Sequence, residues 1–384
     1  MPAPTVPPIE RAIRVAILTD AAEGVLVIRE RFEVVDADTE KLLDNLEPAG
    51  PLTVRFAPEA LRFAGLGRSY SARQIDLRPC AGGPVAVYKS DRPRGYRGHL
   101  RLVRRPSGLA VVNLVNIEDY LVGVVSAELL PGFQPAAFRA QAIASRTFAW
   151  YQKRYFGAAA DWDVFDDESS QAYGGIESEQ RTLKAREAIE DTRGIVCTWS
   201  SPKGERIFPA YFSSTCGGLT RFAQPQRGEE RIPVLAGDVV CEYCSHSPAY
   251  RWPTVSISKK QITQRLRAAY PRLAELGTIS RVEIVERTPR GRPVRVVVID
   301  AAGRSDFLDV EDLRLKVDPT GKLLKSGFCT PVSRGDVIAF TNGRGYGHGR
   351  GLCQYGADGM ARAGHTATEI LQFYYPGCHL SRAY

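Results

Sequence analysis

The first hundred residues alternate between short apolar runs and polar turns. The runs AIRVAIL, GVLVI and PLTVRF are each about the length of one strand and rich in branched apolar residues, which predicts β-strands. HLRLVRR and LAVVNLVN flank the turn sequence Pro-Ser-Gly, and this arrangement predicts a β-hairpin. We therefore expect a β-rich N-terminal region over residues 1–95.

The period of the apolar positions changes after Asn116. Apolar residues then recur at helical spacing, at Ile117, Tyr120, Leu121, Val124 and Val125. Asn116 is a favourable N-cap residue, and Pro131 prevents the helix from continuing far beyond Leu129. A second helix is predicted from Pro135, in its first turn, to near Gly157.

The stretch from residue 251 to 335 predicts an inserted α+β module. Ser258 and Gln261 form a capping-box signature before KKQITQRLRAAY. The strand-like runs RVEIVER and VRVVVID follow, separated by Thr-Pro-Arg-Gly. A last helix is expected from about Ala367 to Tyr375. The fold class is therefore α+β, a β-rich scaffold with a few helices and a smaller α+β module.

Composition narrows the possible classes of protein. The 384 residues are 44% hydrophobic, which is enough for a sizeable core, and no apolar run reaches the length of a membrane span. The first twenty residues lack the pattern of an export signal. The net charge of +8 favours polyanions such as nucleic acid or an anionic cell wall, although a solvated basic surface explains it equally well.

Glu128 and Arg146 are candidates for chemistry on the two predicted helices. At about 100° per residue, Glu128 lies on the apolar face that contains Ile117, near the C-terminal end of the helix. Partial burial and the helix dipole favour the neutral carboxyl there, which suits a general acid. The alternative is a frayed helix end with Glu128 in water. Arg146, among small and apolar residues, should pair with a ligand or with a carboxylate in a structural ion pair.

Cysteines predict a metal site. The chain has eight cysteines, and Cys241 and Cys244 form a C-x-x-C motif followed by His246. This spacing suits zinc, and Cys216 in SSTCGG would complete a Cys3His set. A redox pair, disulfides and free thiols are the alternatives, although no helix is predicted after the motif, as a thioredoxin-like site would require.

Residues 341–366 contain an unusual density of glycine. The segment TNGRGYGHGRGLCQYGADG places His348, Gln354 and Tyr355 among glycines spaced at every second position. It lacks the Lys-Ser/Thr pair of a phosphate loop and a following helix of the dinucleotide-binding type. We expect a loop that contacts an extended ligand, with Gly345, Gly347 and Gly349 in conformations or clearances that a Cβ would prevent.

Five segments in order resemble the SpoIID/LytB family, named for the stage II sporulation protein D and the amidase enhancer. They are VNIEDYLVGVVSAELLPGFQPAAFRAQAIASRTFAW, DESSQAYGG, FSSTCGG, SPAYRW and GYGHGRGLCQYGADGMARAGHTATEILQFYYPG, within about residues 96–380. The resemblance implies a SpoIID-like core over residues 96–250 and 336–384, whose helices line a glycan-binding cleft. It also implies that the segment with Glu128 and the glycine segment face each other in that cleft.

The resemblance implies a peptidoglycan lytic transglycosylase. Such enzymes cleave MurNAc–GlcNAc links of glycan strands without stem peptides and leave 1,6-anhydro ends. The family's catalytic glutamate matches Glu128. The substrate-binding positions that it implies are Arg146, Gln171, Tyr173, Ser213, His348, Gln354 and Tyr355. Some sporulation-type members hold zinc with Cys and His ligands, which supports the set Cys216, Cys241, Cys244 and His246.

A second function is implied by the amidase-enhancer members, which are expected to bind the wall and activate an amidase without cleaving glycans themselves. Glycan strands, and for this alternative a cell-wall amidase, are the implied partners; nucleic acid is not expected. The family implies an extracytoplasmic protein, although no export signal is readable. Two residues depart from the family pattern: Leu129 replaces a methionine and Cys353 replaces a serine.

Overall fold

The computed structural model describes residues 11–223 and 231–384. Residues 1–10, which belong to the predicted N-terminal region and to the stretch without an export signal, lie outside the described residues. The fold is α+β and rich in strands, as the sequence predicts, with 26 strands and eight helices in the described part of the chain. No helix among the described residues combines the length and apolar character needed to cross a membrane.

The chain forms two compact units. The first contains residues 11–196, Ile207–Pro209 and Ser381–Tyr384, and the second contains Cys197–Arg206 and the described residues of Ala210–Leu380. The sequence analysis divided the chain into residues 1–95, 96–250, 251–335 and 336–384. The boundaries of the two units differ from these, so the four ranges stay a prediction.

The first unit consists mainly of four helices and two sheets, which are antiparallel except for the parallel pair β1–β13. Its strands are β1 (Ala12–Ala21), β2 (Glu23–Ile28), β3 (Phe32–Asp36), β4 (Lys41–Leu46), β5 (Ala49–Ala57), β6 (Ala60–Phe63), β7 (Arg68–Tyr70), β8 (Gln74–Pro79), β9 (Val85–Tyr88), β10 (Pro93–Tyr96), β11 (His99–Arg105), β12 (Gly108–Asn116) and β13 (Val164–Phe165). Its helices are α1 (Ile117–Glu128), α2 (Pro135–Tyr155), α3 (Gly175–Glu179) and α4 (Lys184–Asp191).

Strand β12 lies inside the larger sheet, whose order is β13-β1-β12-β11-β8-β3-β4. Its first eight residues are buried, which explains why the run GLAVVNLV is apolar except for Asn113, where burial of one face alone would give alternation. The predicted hairpin is confirmed, with Leu102 opposite Val111. The second sheet has the order β10-β9-β2-β5-β6-β7.

Helix α1 follows β12 directly. The Asn116 side chain accepts a hydrogen bond from the Glu118 N–H at 2.9 Å, so the predicted N-cap is confirmed. The helix ends at Glu128, and the Leu129 N–H donates to the Val125 carbonyl at 3.1 Å. Helix α2 has proline in its first turn, also as predicted.

The second unit contains smaller sheets and the remaining helices. Its strands are β14 (Ile195–Ser201), β15 (Gly204–Ile207), β16 (Phe212–Ser213), β17 (Arg251–Trp252), β18 (Val255–Ser258), β19 (Ile279–Arg287), β20 (Pro293–Asp300), β21 (Ser305–Asp309), β22 (Thr330–Arg334), β23 (Val337–Thr341), β24 (Gly343–Arg344), β25 (Leu352–Cys353) and β26 (His379–Arg382). Strands β14, β15 and β26 include residues of both units. The helices are α5 (Lys259–Ala269), α6 (Val310–Val317), α7 (Gln354–Arg362) and α8 (Ala367–Tyr374).

One hydrophobic cluster of this unit draws its buried residues from Trp252 to Phe340. It joins α5 and α6 to the sheets β18-β23-β22 and β19-β20-β21. The predicted start of α5 is confirmed, because the Ser258 hydroxyl accepts from the Gln261 N–H at 3.2 Å. The predicted strand pair β19–β20 is also confirmed, with Val282 opposite Val298.

Candidate active site and cysteine cluster

Glu128 is the last residue of α1 and is half-buried. Its Oε1 accepts a hydrogen bond from the Ala172 N–H at 2.9 Å. The helix therefore does not fray at Ala127, which was the alternative left open by the spacing. The carboxyl group is held in a fixed direction by backbone from a different segment of the chain.

Gln171 fixes the segment that holds Glu128. Its Oε1 accepts from the Tyr120 hydroxyl at 3.1 Å, and its Nε2 donates to the Ser145 carbonyl at 3.3 Å. These bonds connect the segment to both α1 and α2. Because Gln171 is only 1% exposed, its side chain supports the site and offers no surface for the glycan contact predicted from the resemblance.

Tyr173 has the same supporting position. It is 3% exposed, and its hydroxyl donates to Asn113 Oδ1 at 3.2 Å. Its ring packs against α1 at Gly123, where a Cβ would lie 2.7 Å from Cε2 of the ring. Gly123 therefore allows the close approach that brings Ala172 within reach of Glu128.

Arg146 lies in a buried ion pair. It is 0% exposed and makes two hydrogen bonds to Glu118, of 3.0 Å from Nε and 2.7 Å from Nη2. Its Nη1 donates to the Ile195 carbonyl at 3.1 Å. The Glu118 carboxylate also accepts from the Tyr384 hydroxyl at 2.5 Å. The structural alternative therefore describes this residue, and the predicted contact with substrate lacks an accessible guanidinium.

Asp166 is a carboxylate that the sequence analysis did not single out. Lys89 Nζ donates to both of its oxygens at 2.7 Å, and burial raises the pKa of Asp166. Burial, followed by the charges of Glu128 and Asp166, raises the pKa of Tyr120 well above its usual value. The Tyr120 hydroxyl therefore stays protonated and serves as a donor. Asp166 lies five residues before Gln171, and this proximity was its only signal in the sequence.

Four cysteines of the second unit form a buried group, called here the cysteine cluster: Cys216, Cys241, Cys244 and Cys353. Their sulfur atoms all lie within 4.8 Å of one another, and Cys216 Sγ is 3.6 Å from Cys244 Sγ. Four thiolates around zinc at about 2.3 Å would be roughly 3.8 Å apart. The four side chains therefore fit a tetrahedral zinc site.

Cys353 is the member of the cluster that the sequence analysis missed. Its sulfur accepts hydrogen bonds from the N–H groups of Cys216 at 3.2 Å and Gly356 at 3.3 Å. Such bonds stabilise a thiolate. The departure from the family serine at this position was the available signal.

His246 is not a member of this group. Its Nε2 lies 3.3 Å from Asp358 Oδ2, and its ring lies 5.4 Å from that of Tyr355. The cluster already has four sulfur donors, which satisfies tetrahedral zinc without an imidazole. The predicted set Cys3His is therefore replaced by four cysteines in the site that the structure presents.

The thiols of the cluster do not titrate alike. Hydrogen bonds with Cys216 and Cys244 lower the pKa of Cys241 far below its usual value. At Cys353 the effect of burial outweighs that of the two N–H bonds to the sulfur, and the pKa of this thiol is raised well above its usual value. The Tyr374 hydroxyl lies 3.1 Å from Cys241 Sγ, where it can donate to the anionic sulfur.

Residues 343–353, called here the His348 loop, adopt backbone conformations that favour glycine. Gly345, Gly347 and Gly349 have φ of +80°, +91° and +71°. A Cβ would lie 2.5 Å from the Thr215 carbonyl oxygen at Gly345 and 3.1 Å from the Ser213 Cβ at Gly347. The prediction for these glycines is confirmed. The atoms that require the clearance belong to the chain itself, whereas the sequence analysis attributed it to a glycan.

His348 is half-buried near the middle of this loop. Its Nδ1 accepts from the Arg350 N–H at 3.0 Å, so the proton of the neutral ring lies on Nε2. Burial, and then a group of cations of which Arg350 is the strongest, lowers the pKa of His348 to about 3. The ring also meets Tyr211 edge-on, with centroids 6.1 Å apart. His348 is therefore a neutral hydrogen-bonding group.

The other predicted residues of this unit flank the cluster. Ser213 pairs with Cys353 between parallel strands, and its hydroxyl has no hydrogen-bond partner among the described residues. Gln354, 5% exposed, begins α7, so a helix does follow the glycine segment. The Tyr355 N–H donates to the Ser214 carbonyl at 3.1 Å, and its side chain is half-buried.

Comparison with known proteins gives a consistent set of similarities. A profile of the SpoIID family, described as Stage II sporulation protein, matches residues 105–199. Stage II sporulation protein D of Bacillus subtilis (strain 168) is 30% identical over 293 residues, covering 73% of this chain and 78% of that protein. A protein of Brachyspira hyodysenteriae is 31% identical over 282 residues, 73% of this chain and 71% of its own length. The Amidase enhancer of Bacillus subtilis is 27% identical over 304 residues, 68% of this chain and 40% of the enhancer.

Proposed function

Because this chain belongs to the SpoIID family of stage II sporulation proteins, we propose that it is a peptidoglycan lytic transglycosylase with Glu128 as its single acid and base. The observation that supports this most is the fixed carboxyl group of Glu128. Ala172 donates its N–H to that carboxyl from within the SQAYGG segment, and both segments match the family's motifs.

The reaction needs one group that first donates a proton and then accepts one. Glu128 in its acid form protonates the glycosidic oxygen, which leaves with the GlcNAc part of the strand. The C6 hydroxyl of MurNAc attacks C1 and forms the 1,6-anhydro ring, and its proton passes to the Glu128 carboxylate. The acid form is regenerated and no water is consumed.

The use of one carboxyl group is consistent with the surroundings of Glu128. Hydrolytic glycosidases usually use two carboxyl groups, one of which activates water or attacks the sugar. The nearby carboxylate Asp166 is 6% exposed and both of its oxygens accept from Lys89. It is therefore better suited to a structural ion pair than to the role of a second catalytic group.

The cysteine cluster is proposed to hold zinc in a structural role. Zinc would neutralise the thiolates and connect the segments that carry Cys216, Cys241, Cys244 and Cys353. All four sulfurs would be occupied, and a site filled by four protein ligands has no open position for substrate. No step of the proposed reaction depends on it.

The substitution Glu128→Gln tests the proposal. It keeps the size of the side chain and removes the transferable proton, so cleavage should fall by a factor of about 100 or more while glycan binding is retained. Mass spectrometry of denuded and intact glycan strands measures the 1,6-anhydro ends. Glu168→Gln is the matched control, because Glu168 is exposed in the neighbouring segment. Near-wild-type cleavage by Glu128→Gln would rule out the assignment.

The alternative function is that of a wall-binding activator of an amidase. It is supported by the similarity to the Amidase enhancer over 68% of this chain. The same digestion distinguishes the two, with a purified N-acetylmuramoyl-L-alanine amidase added to a parallel sample. An activator would yield no anhydro ends alone and would increase release of stem peptides by the amidase.

A further inference from the structure

Arg292 occupies the turn between β19 and β20, in the basic stretch ERTPRGRPVRVVV, where an arginine is ordinarily exposed to solvent. The side chain is instead 1% exposed. Two hydrogen bonds close the turn. The Thr288 N–H donates to the Arg292 carbonyl at 2.8 Å, and the Arg292 N–H donates to the Thr288 hydroxyl at 3.1 Å. The hairpin therefore carries one of its arginines into the interior of the second unit.

The guanidinium of Arg292 reaches the backbone of the cysteine cluster. Its Nη1 donates to the carbonyl of Cys216 at 2.7 Å and to that of Leu219. Its Cζ lies 4.9 Å from the centre of the Phe328 ring. Among the ion pairs of the described residues none involves Arg292. Glu311, a carboxylate that interacts electrostatically with Arg292, is itself paired with Arg314 at 2.7 Å.

The same guanidinium also defines the path of the His348 loop. A Cβ on Gly349 would overlap all three nearest atoms of the Arg292 guanidinium. The loop is further joined to the Cys216 segment by two backbone hydrogen bonds between Thr215 and Tyr346, of 2.8 and 3.1 Å. Arg292 thus lies between a group of thiols and the backbone beside His348.

From these contacts we propose that Arg292 is a positioning residue that couples the cysteine cluster to the His348 loop. The hydrogen bond from its guanidinium to the Cys216 carbonyl holds the Cys216 segment. Its side chain fills the space beside Gly349. Its positive charge offsets the negative charge of the thiolates when the cluster holds a metal ion. The role in metal retention depends on the proposed zinc site, whereas the role in loop position does not.

Substitution of Arg292 in the full chain tests the proposal. Arg292→Met keeps a long side chain but removes the charge and the donors, and Arg292→Lys keeps the charge with fewer donors. Arg295→Met is the matched control, since Arg295 is exposed on the same hairpin. Hydrogen exchange of residues 343–353 measures the order of the loop, and competition with a chromogenic chelator measures zinc affinity.

In Arg292→Met we expect zinc affinity to be lower by about tenfold to a hundredfold, which is the usual effect of losing a residue that supports a metal ligand, and hydrogen exchange in the loop to be faster by at least about tenfold. In Arg292→Lys both the exchange rate and the zinc affinity should lie between those of Arg292→Met and the wild type. In Arg295→Met both should equal the wild-type values. If Arg292→Met does not fold, hydrogen exchange in Arg292→Lys decides, and a loop exchange rate equal to that of the wild type would overturn the positioning role.

Unchanged loop exchange in a folded Arg292→Met variant would overturn the inference. If wild-type protein holds no zinc, the proposed metal site fails and the charge-offsetting role fails with it, while loop exchange still decides the positioning role. Neither measurement requires glycan cleavage, so failure of the proposed enzymatic function would be seen separately.

Discussion

Gly347 illustrates at the scale of a single residue how the His348 loop depends on bare backbone. In Gly347→Ala the positive φ alone should lower the free energy of unfolding by about 1–2 kcal/mol. The contact of the new Cβ with Ser213 should add to this loss. Gly303→Ala is the control, because Gly303 has φ of +83° with no neighbour within 4 Å. Urea unfolding measures both. Equal losses in the two variants would show that the contact with Ser213 does not matter.

His348 gives a prediction for pH dependence. Its folded pKa of about 3 lies below the usual 6.5, so below pH 6.5 the unfolded chain binds a proton that the folded chain does not. The free energy of unfolding should therefore fall as the pH drops from about 6.5 to about 3, by at most about 1.4 kcal/mol per pH unit from this residue. His348→Gln should show a shallower decline over this window in urea titrations at several pH values. Parallel declines in the two proteins would contradict the low pKa.

The residues that the sequence predicted best are those whose role is local. Asn116 and Ser258 cap helices through their own nearest backbone, so spacing alone located them. Arg146 and Cys353 have partners far along the chain, at Glu118 across 28 residues and at Cys216 across 137. Residue type suggested a partner for Arg146 without identifying it, and suggested no partner for Cys353.

At the scale of elements, the helices differ in how far local sequence explains them. Helices α1, α2, α5 and α8 were predicted from apolar period, caps and proline, whereas α3, α4, α6 and α7 were not. Helix α7 contains Gly356 and Gly359, which disfavour helix. A Cβ at Gly356 would lie 2.8 Å from Cys241 Sγ, and one at Gly359 would overlap the Tyr243 carbonyl. Close packing of the whole unit therefore selects residues that local propensity disfavours.

The N-cap of α1 provides a test at this scale. Asn116→Ala removes the acceptor for the Glu118 N–H and should lower the free energy of unfolding by about 1 kcal/mol. Asn45→Ala, at an exposed position of β4, should change it by less than about 0.5 kcal/mol. Chemical denaturation of both variants checks this. A smaller loss at residue 116 than at residue 45 would show that the cap contributes nothing.

For the whole molecule, the cysteine cluster predicts metal content. Protein purified without chelator should contain about one zinc ion per chain. Cys353→Ser should lower zinc content and speed its release to a chelator, since one of four donors is lost. His246→Ala and Cys80→Ser should retain it, because both residues lie outside the cluster. Elemental analysis of the wild type and the three variants distinguishes a site of four cysteines from the Cys3His site. Loss of zinc in His246→Ala together with retention in Cys353→Ser would favour Cys3His.

The order of the cluster residues along the chain has a consequence for folding. The hydrophobic cluster from Trp252 to Phe340 lies in sequence between Cys244 and Cys353. In an unstructured chain, joining these two cysteines means closing a loop of about a hundred residues, whose entropic cost grows with length. Once the intervening residues have folded, their two ends are already near each other and most of that entropy has been lost. Metal capture would then be a late event, and a bound ion would report that the residues between the cysteines have completed folding.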